Sequence, residues 1–235
     1  MRPLAVAITL LTVAARPAAT QDPYRVAWWD AASVLAAGGL SLIPEVAGLP
    51  PGAPPCAPCD PASLSGIDHA ALHTFSGPAG TASTLLLAGV IGFSGLASLE
   101  GASPAQVRGH AAVYANGLAW TLAASQWLKV LAHRSRPVLY TADAPGAASD
   151  PDSRRSFPST HAALAFAAST AYVVMARRER LPHRTRNAVL LYAASLGVAT
   201  LRVSAGQHFP TDVAGGAALG ATLGWLAARV HPTGP

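Results

Sequence analysis

Charged side chains are scarce in this 235-residue chain: Asp, Glu, Lys and Arg make up 11% of it, against 51% hydrophobic residues and a mean hydropathy of +0.34. Soluble domains carry about 25% charged residues, so a mostly water-facing surface is excluded and membrane insertion is the simplest explanation. The formal net charge of +5 does not indicate a nucleic-acid partner. The arginines stand in loops between apolar stretches and form no basic face with interleaved aromatic residues.

The chain also lacks the alternation of apolar and polar residues that would favour strands, and it contains no internal repeat. Its long apolar segments predict an all-α, membrane-embedded bundle of about five to six helices. Segments long and apolar enough to be membrane helices run near residues 80–99, 108–128, 159–176, 187–203 and, rich in Ala and Gly, 211–229. An earlier stretch, 31–44, is interrupted by Gly38-Gly39 and ends at Pro44. We expect a helix there that is broken or does not cross the membrane.

The N-terminus begins Met1-Arg2-Pro3 and continues with an apolar run over residues 4–15. This pattern is typical of a secretory signal peptide or, if it is not cleaved, of an N-terminal anchor. The chain then divides into four regions: residues 1–20 as signal peptide or anchor, 21–79 as an N-terminal helix with a Pro- and Cys-rich external loop, 80–229 as the main helical bundle, and 230–235 as a tail.

The loop 177–186 sets the expected orientation. It holds five arginines: Arg177, Arg178, Arg180, Arg184 and Arg186. By the positive-inside rule this loop is cytoplasmic, which places the 129–158 loop and the 203–210 turn together on the other side. We expect a bacterial-type inner-membrane protein whose functional site faces the external, periplasmic side.

Only two cysteines are present, Cys56 and Cys59, both in the loop expected to be external. Two thiols alone do not complete a zinc site, and a redox motif would need a βαβ context that is absent. A local disulfide is favoured in an oxidising compartment, while free thiols or a metal role remain open.

Three polar clusters interrupt the apolar segments, and the first contains the only lysine of the chain. Lys129 ends one predicted helix, and Arg136-Pro137 follows in the loop beyond it. An ammonium group offers a compact charge and a guanidinium group a bidentate fork, and both suit phosphate. Taken alone, Lys129 could simply extend its ammonium group to the membrane surface.

The second cluster, Pro158-Ser159-Thr160-His161, is typical of a helix start, with Ser159 or Thr160 able to cap it. A helix N-terminus presents free N–H groups and a partial positive charge, which together form an anion site. His161 in the first turn could protonate a leaving oxygen there. In isolation the cluster could be no more than an N-cap.

The third cluster contains Arg202, His208 and Asp212, with Pro210 suited to the first turn of a helix. Asp212 lies one turn beyond His208 and could accept the N–H of one imidazole nitrogen. That contact would fix the tautomer and leave the other nitrogen free to attack. Asp212 could also be only a favourable first-turn carboxylate, but this leaves Arg202 and His208 unexplained.

Together, Lys-x6-Arg-Pro at 129–137, Pro-Ser-Thr-His at 158–161 and Arg-x5-His-x3-Asp at 202–212 resemble the three-part signature of the type 2 phosphatidic acid phosphatase family. That family shares its site with vanadium-dependent haloperoxidases and bacterial class A acid phosphatases. The resemblance covers about residues 105–229. It implies a helical-bundle hydrolase that forms a phosphohistidine without a metal ion or other cofactor.

By position, the resemblance makes His208 the nucleophile, Asp212 its orienting partner and His161 the general acid. The residues implied to bind phosphate are Lys129, Arg136, Ser159, Thr160 (through its backbone N–H) and Arg202. The chain departs from the family pattern at Thr160, where Gly is usual, and at Leu201, where Ser is usual. Neither departure removes a group that the chemistry needs.

The expected function is therefore that of a membrane phosphatase for a lipid phosphate or an isoprenoid pyrophosphate, with the bilayer as its other partner. Candidate substrates are phosphatidic acid, phosphatidylglycerol phosphate and an isoprenoid pyrophosphate carrier. Three alternatives remain: an exported soluble acid phosphatase, a haloperoxidase that holds vanadate in the same residues, and an inactive protein that binds or transports lipid phosphates.

Overall fold

The computed structural model describes residues 23–234, which form six long helices with short helical turns between them. The long helices are α1 (Trp28–Val46), α2 (Gly77–Ser98), α3 (Pro104–Ala132), α5 (Thr160–Arg178), α6 (Arg184–Ser204) and α7 (Pro210–Val230), and α4 (Ala144–Ala147) is a single turn. Short 3₁₀ helices cover Pro61–Ser63, Asp68–His73, Pro137–Tyr140 and Pro151–Arg154. No strand occurs over these residues, and the predicted all-α class is confirmed.

Successive long helices run in opposite directions, so the bundle has two distinct ends. At the site end, α5 and α7 begin, and the N–H of Ser76 before α2 donates to the carbonyl of Ser204 in α6 (3.1 Å). At the arginine end, α5 finishes at Arg178 and α6 begins at Arg184. The second and third motifs thus share one end, opposite the arginine-rich loop.

Helix α5 is the centre of the bundle and contacts α2, α3, α6 and α7. It is rich in alanine, and most of its residues are buried. A hydrophobic core joins Tyr172 of α5 to Val90 of α2 and to Leu191 and Val198 of α6. Small side chains let four helices surround α5 closely, and their packing fixes its N-terminal turn in the site.

Helices α5 and α7 approach each other backbone to backbone. Gly216, Gly220 and Gly224 recur every fourth residue on one face of α7, and a Cβ at Gly220 would lie only 1.9 Å from the carbonyl oxygen of Ala163. Any side chain here would separate the helices. The contact continues to the site end, where the N–H of Ser159 donates to the carbonyl of Asp212 (3.0 Å).

Helix α1 corrects the prediction of a broken segment at 31–44, because it continues through Gly38-Gly39 and includes Pro44. Proline lacks an N–H, which leaves the carbonyl four residues earlier without its helical donor. The indole N–H of Trp127 in α3 donates to that carbonyl, on Leu40 (3.0 Å). Packing on α3 thus compensates for the poor helix propensity of this segment.

The same helix extends along the full bundle. Arg25, just before α1, donates its N–H to the carbonyl of Pro232 (2.9 Å), beyond the end of α7. At the other end of α1, the Glu45 carboxylate accepts from the guanidinium of Arg155 (2.6 Å) on the site side. The expected signal peptide or anchor at 1–20 lies outside the described residues.

Within residues 23–234, three helices are long and apolar enough to cross a membrane: α2, α6 and α7. Large apolar side chains are also exposed on the outside of the bundle. Those more than 60% exposed include Leu35, Leu85, Leu96, Leu131 and Val189. The composition and the exposed apolar surface together fit a helical membrane protein.

The loop between α1 and α2 is fastened to the site end of the bundle. Cys56 and Cys59 form a disulfide, and the Cys59 N–H donates to the carbonyl of Leu139 (2.7 Å). The guanidinium of Arg154 donates to the carbonyls of Pro50 and Pro51. These contacts bring the loop over the segment that carries Arg136.

Candidate active site

A cavity of about 300 Å³ lies at the site end, between α2, α3 and α5 and the turn before α7. Six of the eight residues that the sequence assigns to catalysis or phosphate binding line it: Lys129, Arg136, Thr160, His161, Arg202 and His208. The other two, Ser159 and Asp212, are fully buried beside it. The structure therefore brings the three sequence motifs together around one space.

Three cationic side chains surround this cavity. Lys129 lies in the last turn of α3, Arg136 precedes the 3₁₀ helix 137–140, and Arg202 is in the last turn of α6. All three are at most 8% exposed. Buried positive charges are costly unless an anion balances them, so the space they share favours a highly charged anion.

Partners within the protein satisfy these cations only in part. Arg136 donates to the Gln207 side-chain oxygen and pairs with the Asp152 carboxylate (2.5 Å). Arg202 donates to the Ser83 hydroxyl at 3.4 Å. Asp152 and Gln207 also line the cavity, so an incoming anion would compete with them for Arg136.

Four buried polar atoms at the cavity have no hydrogen-bond partner within residues 23–234. They are Arg136 Nε, Ser159 Oγ, Thr160 Oγ1 and Arg202 Nε. Buried polar groups are nearly always paired in native proteins. Four donors left without partners in one place, each on a residue assigned to phosphate, fit the several oxygens of a phosphoryl group.

Ser159 differs from its expected capping role in one respect. Its backbone is at the N-cap position of α5, but its hydroxyl makes no capping hydrogen bond. That hydroxyl is one of the four unpartnered atoms. The first turn of α5 thus keeps both its side-chain donors and its backbone N–H groups available for an anion.

His208 is buried, with one ring nitrogen engaged and the other free. Its Nδ1 lies 2.7 Å from the backbone carbonyl of Ser156, which can only accept, so Nδ1 carries the hydrogen. In the described part of the chain Nε2 has no hydrogen-bond partner, and His208 lines the cavity. Burial lowers the pKa of His208 to about 3, and the charges of Arg136 and Lys129 act in the same direction against Asp212. The imidazole is therefore neutral at pH 7, with a lone pair available for attack.

Asp212 lies farther from His208 than the sequence suggests: its Oδ2 is 3.8 Å from Nδ1, too long for a hydrogen bond. That oxygen accepts instead from the Ser156 hydroxyl (2.5 Å) and the Phe209 N–H (2.8 Å). Asp212 is therefore connected to His208 through Ser156, which accepts from the histidine with its carbonyl and donates to the carboxylate with its hydroxyl.

His161 lies in the first turn of α5, on the cavity wall. Its Nε2 is 3.2 Å from the Thr84 hydroxyl of α2, which holds the ring at the edge of the site. Thr84 and Ser83 thus bring α2 into contact with two residues of the motifs, and no sequence pattern singles them out.

Sequence reasoning also missed Arg134, Ser156 and Asp68. Arg134 pairs with Asp212 (2.5 Å) and with Asp68 (2.7 Å), and its guanidinium lies over the Phe209 ring (4.6 Å). Arg134 lies in the spacer between Lys129 and Arg136. In so apolar a chain, this additional charge is a signal that could have been noticed. Nothing in the sequence distinguishes Ser156 or Asp68.

The disulfide lies at the site end of the bundle but apart from the cavity, and no metal-binding group accompanies it in the described part of the chain. The Cys56–Cys59 disulfide packs on Leu139 and Ala144 and does not line the cavity. Within residues 23–234, no three His, Cys, Asp or Glu side chains are grouped so that they could hold a metal ion.

Comparison with known proteins agrees with this arrangement. Neither the curated proteins nor the solved structures give a significant match. The family model of the PAP2 superfamily matches residues 110–234, more than half of the chain and all three motifs. The chain belongs to the PAP2 superfamily.

Proposed function

We propose that the protein is a membrane phosphatase that hydrolyses a lipid phosphate or an isoprenoid pyrophosphate through a phosphohistidine on His208, without a metal ion. The observation that carries the proposal is the set of unpartnered donors on Arg136, Ser159, Thr160 and Arg202 beside the free Nε2 of His208. Donors surround a space for phosphate oxygens, and a neutral nucleophile opens onto it.

In the first half of the reaction, Nε2 of His208 attacks phosphorus and the bond from phosphorus to the leaving oxygen breaks. His161 gives that oxygen a proton, since a bound phosphate dianion favours the imidazolium form of a neighbouring histidine. Lys129, Arg136 and Arg202 stabilise the charge on the equatorial oxygens. The products are a lipid alcohol, or a lipid monophosphate from a pyrophosphate, and the phosphohistidine.

In the second half, water attacks phosphorus from the side that the leaving group vacated. His161, now neutral, accepts the proton of the water, and the P–N bond breaks with its electron pair returning to Nε2. Inorganic phosphate leaves, and both histidines are back in their starting states, because the proton taken from water restores the imidazolium form of His161. Ser156 holds Nδ1 throughout, so the same nitrogen acts in every turnover.

Two features support a lipid over a soluble substrate. The cavity wall is not polar throughout, since Leu87 of α2 and Leu164 of α5 contribute to it. Three helices have the length and composition of membrane spans, and apolar side chains cover the outer face. A substrate whose tail stays in the bilayer can present its phosphate to such a site.

We place the site end on the external, periplasmic face. The arginine end carries the 177–186 loop, and such a cluster favours the cytoplasmic side. Because α1 extends along the full bundle, Tyr24 lies at the arginine end, bridged to Thr233.

The test measures inorganic phosphate released from a panel of lipid phosphates and isoprenoid pyrophosphates in detergent, with chelator present. Wild type should release phosphate, and His208→Ala should not. His73→Ala, an exposed histidine of the loop before α2, is the matched control and should retain full activity. A phosphoenzyme trapped in alkali should appear in wild type and be absent from His208→Ala.

Other outcomes would overturn the proposal in distinct ways. Loss of activity with chelator would exclude the metal-free mechanism. Halide oxidation with added vanadate and no phosphate release would favour the haloperoxidase. Lipid binding without turnover would favour a binding protein, and release from cells without detergent would favour the soluble phosphatase.

A further inference from the structure

The loop between α1 and α2 supplies a buried carboxylate, Asp68, that lies outside the family-matched region of the chain. Asp68 is only 2% exposed and begins the 3₁₀ helix 68–73. Burying a carboxylate costs free energy unless it is fully paired. Its partners therefore indicate what it stabilises.

Those partners lie at the start of α7 and in the spacer of the first motif. The Asp68 carboxylate accepts from the N–H of Thr211 (3.1 Å), from the Thr211 hydroxyl (2.9 and 3.0 Å) and from the guanidinium of Arg134 (2.7 Å). The Ser65 hydroxyl adds a local contact (2.8 Å). Burial acts to raise the pKa of Asp68, but these donors lower it below its ordinary value. The carboxylate is thus ionised and fully paired.

Arg134 extends this contact to the catalytic carboxylate. One of its nitrogens binds Asp68, and the other binds Asp212 Oδ1 (2.5 Å) and the Thr211 hydroxyl (2.6 Å). The Arg134 carbonyl also accepts from the N–H of Ser156 (3.0 Å). A guanidinium fixed at two carboxylates has little freedom to rotate away.

Ser156 connects this group to the nucleophile. Its N–H is held by Arg134, its hydroxyl by Asp212, and its carbonyl accepts Nδ1–H of His208. A continuous chain of hydrogen bonds therefore runs from Asp68 through Arg134, Asp212 and Ser156 to His208.

We propose that Asp68 is a positioning residue for the nucleophile: it fixes Arg134, which holds Asp212 and Ser156 so that His208 keeps Nδ1 protonated and Nε2 directed at phosphate. This inference rests on the proposed function for its kinetic part. Asp68 is not among the residues that line the cavity, so we expect it to affect the attacking nitrogen and not phosphate binding.

Asp68→Asn is the first variant. An amide cannot replace both carboxylate oxygens, because its NH₂ group would face either Arg134 or the Thr211 N–H, and both are donors. We expect kcat to fall by between about 10- and 100-fold, as a small misplacement of a reacting group does, with little change in KM. Asp60→Asn is the matched control, since Asp60 is an exposed carboxylate of the same loop that contacts the Ala62 N–H, and it should leave kcat unchanged.

A double-mutant cycle separates positioning from a general effect on folding. If Asp68 acts through Arg134, Asp68→Asn should cost nothing further in an Arg134→Met background. If the two substitutions lowered kcat independently, so that their fold-losses multiplied in the double variant, the inference would be wrong. It would also be wrong if Asp68→Asn kept the wild-type kcat. Should Asp68→Asn fail to fold, Thr211→Val removes the bridging hydroxyl without a charge change and should lower kcat in the same way, with KM retained. Wild-type kcat in that variant would also contradict the inference.

A spectroscopic readout keeps the inference separate from the proposed function. In ¹⁵N-histidine spectra, the His208 signal is the one lost in His208→Ala, and in wild type it should report a neutral ring protonated at Nδ1. Asp68→Asn should mix in the other tautomer, whereas Asp60→Asn should not. If wild type released no phosphate from any substrate, the proposed function would fail while this spectrum would still decide the role of Asp68. An unchanged tautomer would overturn it.

Discussion

Each end of the bundle buries a histidine beside a carboxylate, but the two histidine rings make different contacts. At the arginine end, His110 Nε2 lies 2.9 Å from Glu179, and Nδ1 lies 2.7 Å from the carbonyl of Ser98. At the site end, the one hydrogen bond of the His208 ring within residues 23–234 goes to a backbone carbonyl, and the carboxylate of Asp212 is 3.8 Å away. Among the described residues, the His110 ring has both nitrogens engaged, whereas the His208 ring has a partner at Nδ1 alone.

The two pairs differ in which other groups bind the carboxylate. Gln106 shares Glu179 with His110, so the histidine is a main partner of that charge and links α3 to the end of α5. Asp212 is already held by Arg134 and Ser156, so His208 need not neutralise it. A buried His–carboxylate pair is a structural clamp when the contact is direct. When another cation pairs with the carboxylate, as Arg134 does with Asp212, the histidine can stay neutral and is available as a nucleophile.

The largest effect expected is that of His208→Asn. Removing the attacking nitrogen should lower kcat by at least about 10⁴-fold, as loss of a nucleophile does in other covalent hydrolases. The thermal unfolding midpoint at pH 7 should change little, because within residues 23–234 the neutral side chain makes one hydrogen bond and no ion pair. Steady-state kinetics and thermal unfolding in detergent measure both. Residual turnover above 1% of wild type, an order-of-magnitude threshold, would mean that another group attacks.

Replacing His161 should have the next largest effect. His161→Asn should slow hydrolysis of an alkyl phosphate by about 10²- to 10⁴-fold, the range for a general acid. With a nitrophenyl phosphate, whose leaving group needs no proton, the loss should shrink sharply. Comparison of kcat for the two substrates checks this. Equal losses would assign His161 to binding instead of proton transfer.

His110→Ala should give the converse result at the arginine end. Turnover should remain near the wild-type rate, while the free energy of unfolding falls by about 3 kcal/mol, because Glu179 becomes a buried charge with its histidine partner removed. A second variant, His110→Leu with Glu179→Met, should recover much of that stability. Loss of activity in a folded His110→Ala enzyme would contradict the division between the two ends.

The last prediction concerns the pH dependence of folding stability and not turnover. The pKa of His208 is about 3 when folded and 6.5 in its ordinary state, so between these values the unfolded chain binds a proton that the folded chain does not. The stability from burying the neutral ring is complete above about pH 6.5 and is lost as pH falls toward 3, by at most about 1.4 kcal/mol per pH unit. Thermal unfolding of His208→Asn from pH 7 to 4 should therefore decline less steeply than that of wild type. Parallel curves would show that His208 does not titrate in this way.

Local sequence patterns predicted the helices well, and six of the residues that they singled out line one cavity. The apolar segments at 80–99, 108–128, 187–203 and 211–229 correspond to α2, α3, α6 and α7 within a few residues. Motif residues such as Lys129 and His208 could be assigned to one end of the bundle because each lies at or next to a helix end. The positions of the helix ends fix the spacing of these residues along the chain.

What could not be predicted depends on contacts between distant segments. The continuity of α1 depends on Trp127, 87 residues away from the carbonyl it satisfies. The separation of Asp212 from His208 depends on Ser156, and the anchoring of Arg134 depends on Asp68, 66 residues earlier. Helix propensity and motif spacing contain no information on such pairs, because tertiary packing decides them.

The glycine contact between α5 and α7 has a consequence for motion. His161 is in the first turn of α5, His208 precedes α7, and no layer of side chains separates these helices that could repack as they move. We therefore expect the first turn of α5 and the turn before α7 to move together, which would keep His161 and His208 at a nearly constant separation. Helix α2 contributes Leu87 to the cavity wall, and its Thr84 hydroxyl lies at His161. If the proposed function holds, we expect displacement of α2 to alter access to the cavity more than it alters the spacing of His161 and His208, so that different parts of the bundle would set the rates of substrate entry and of chemistry.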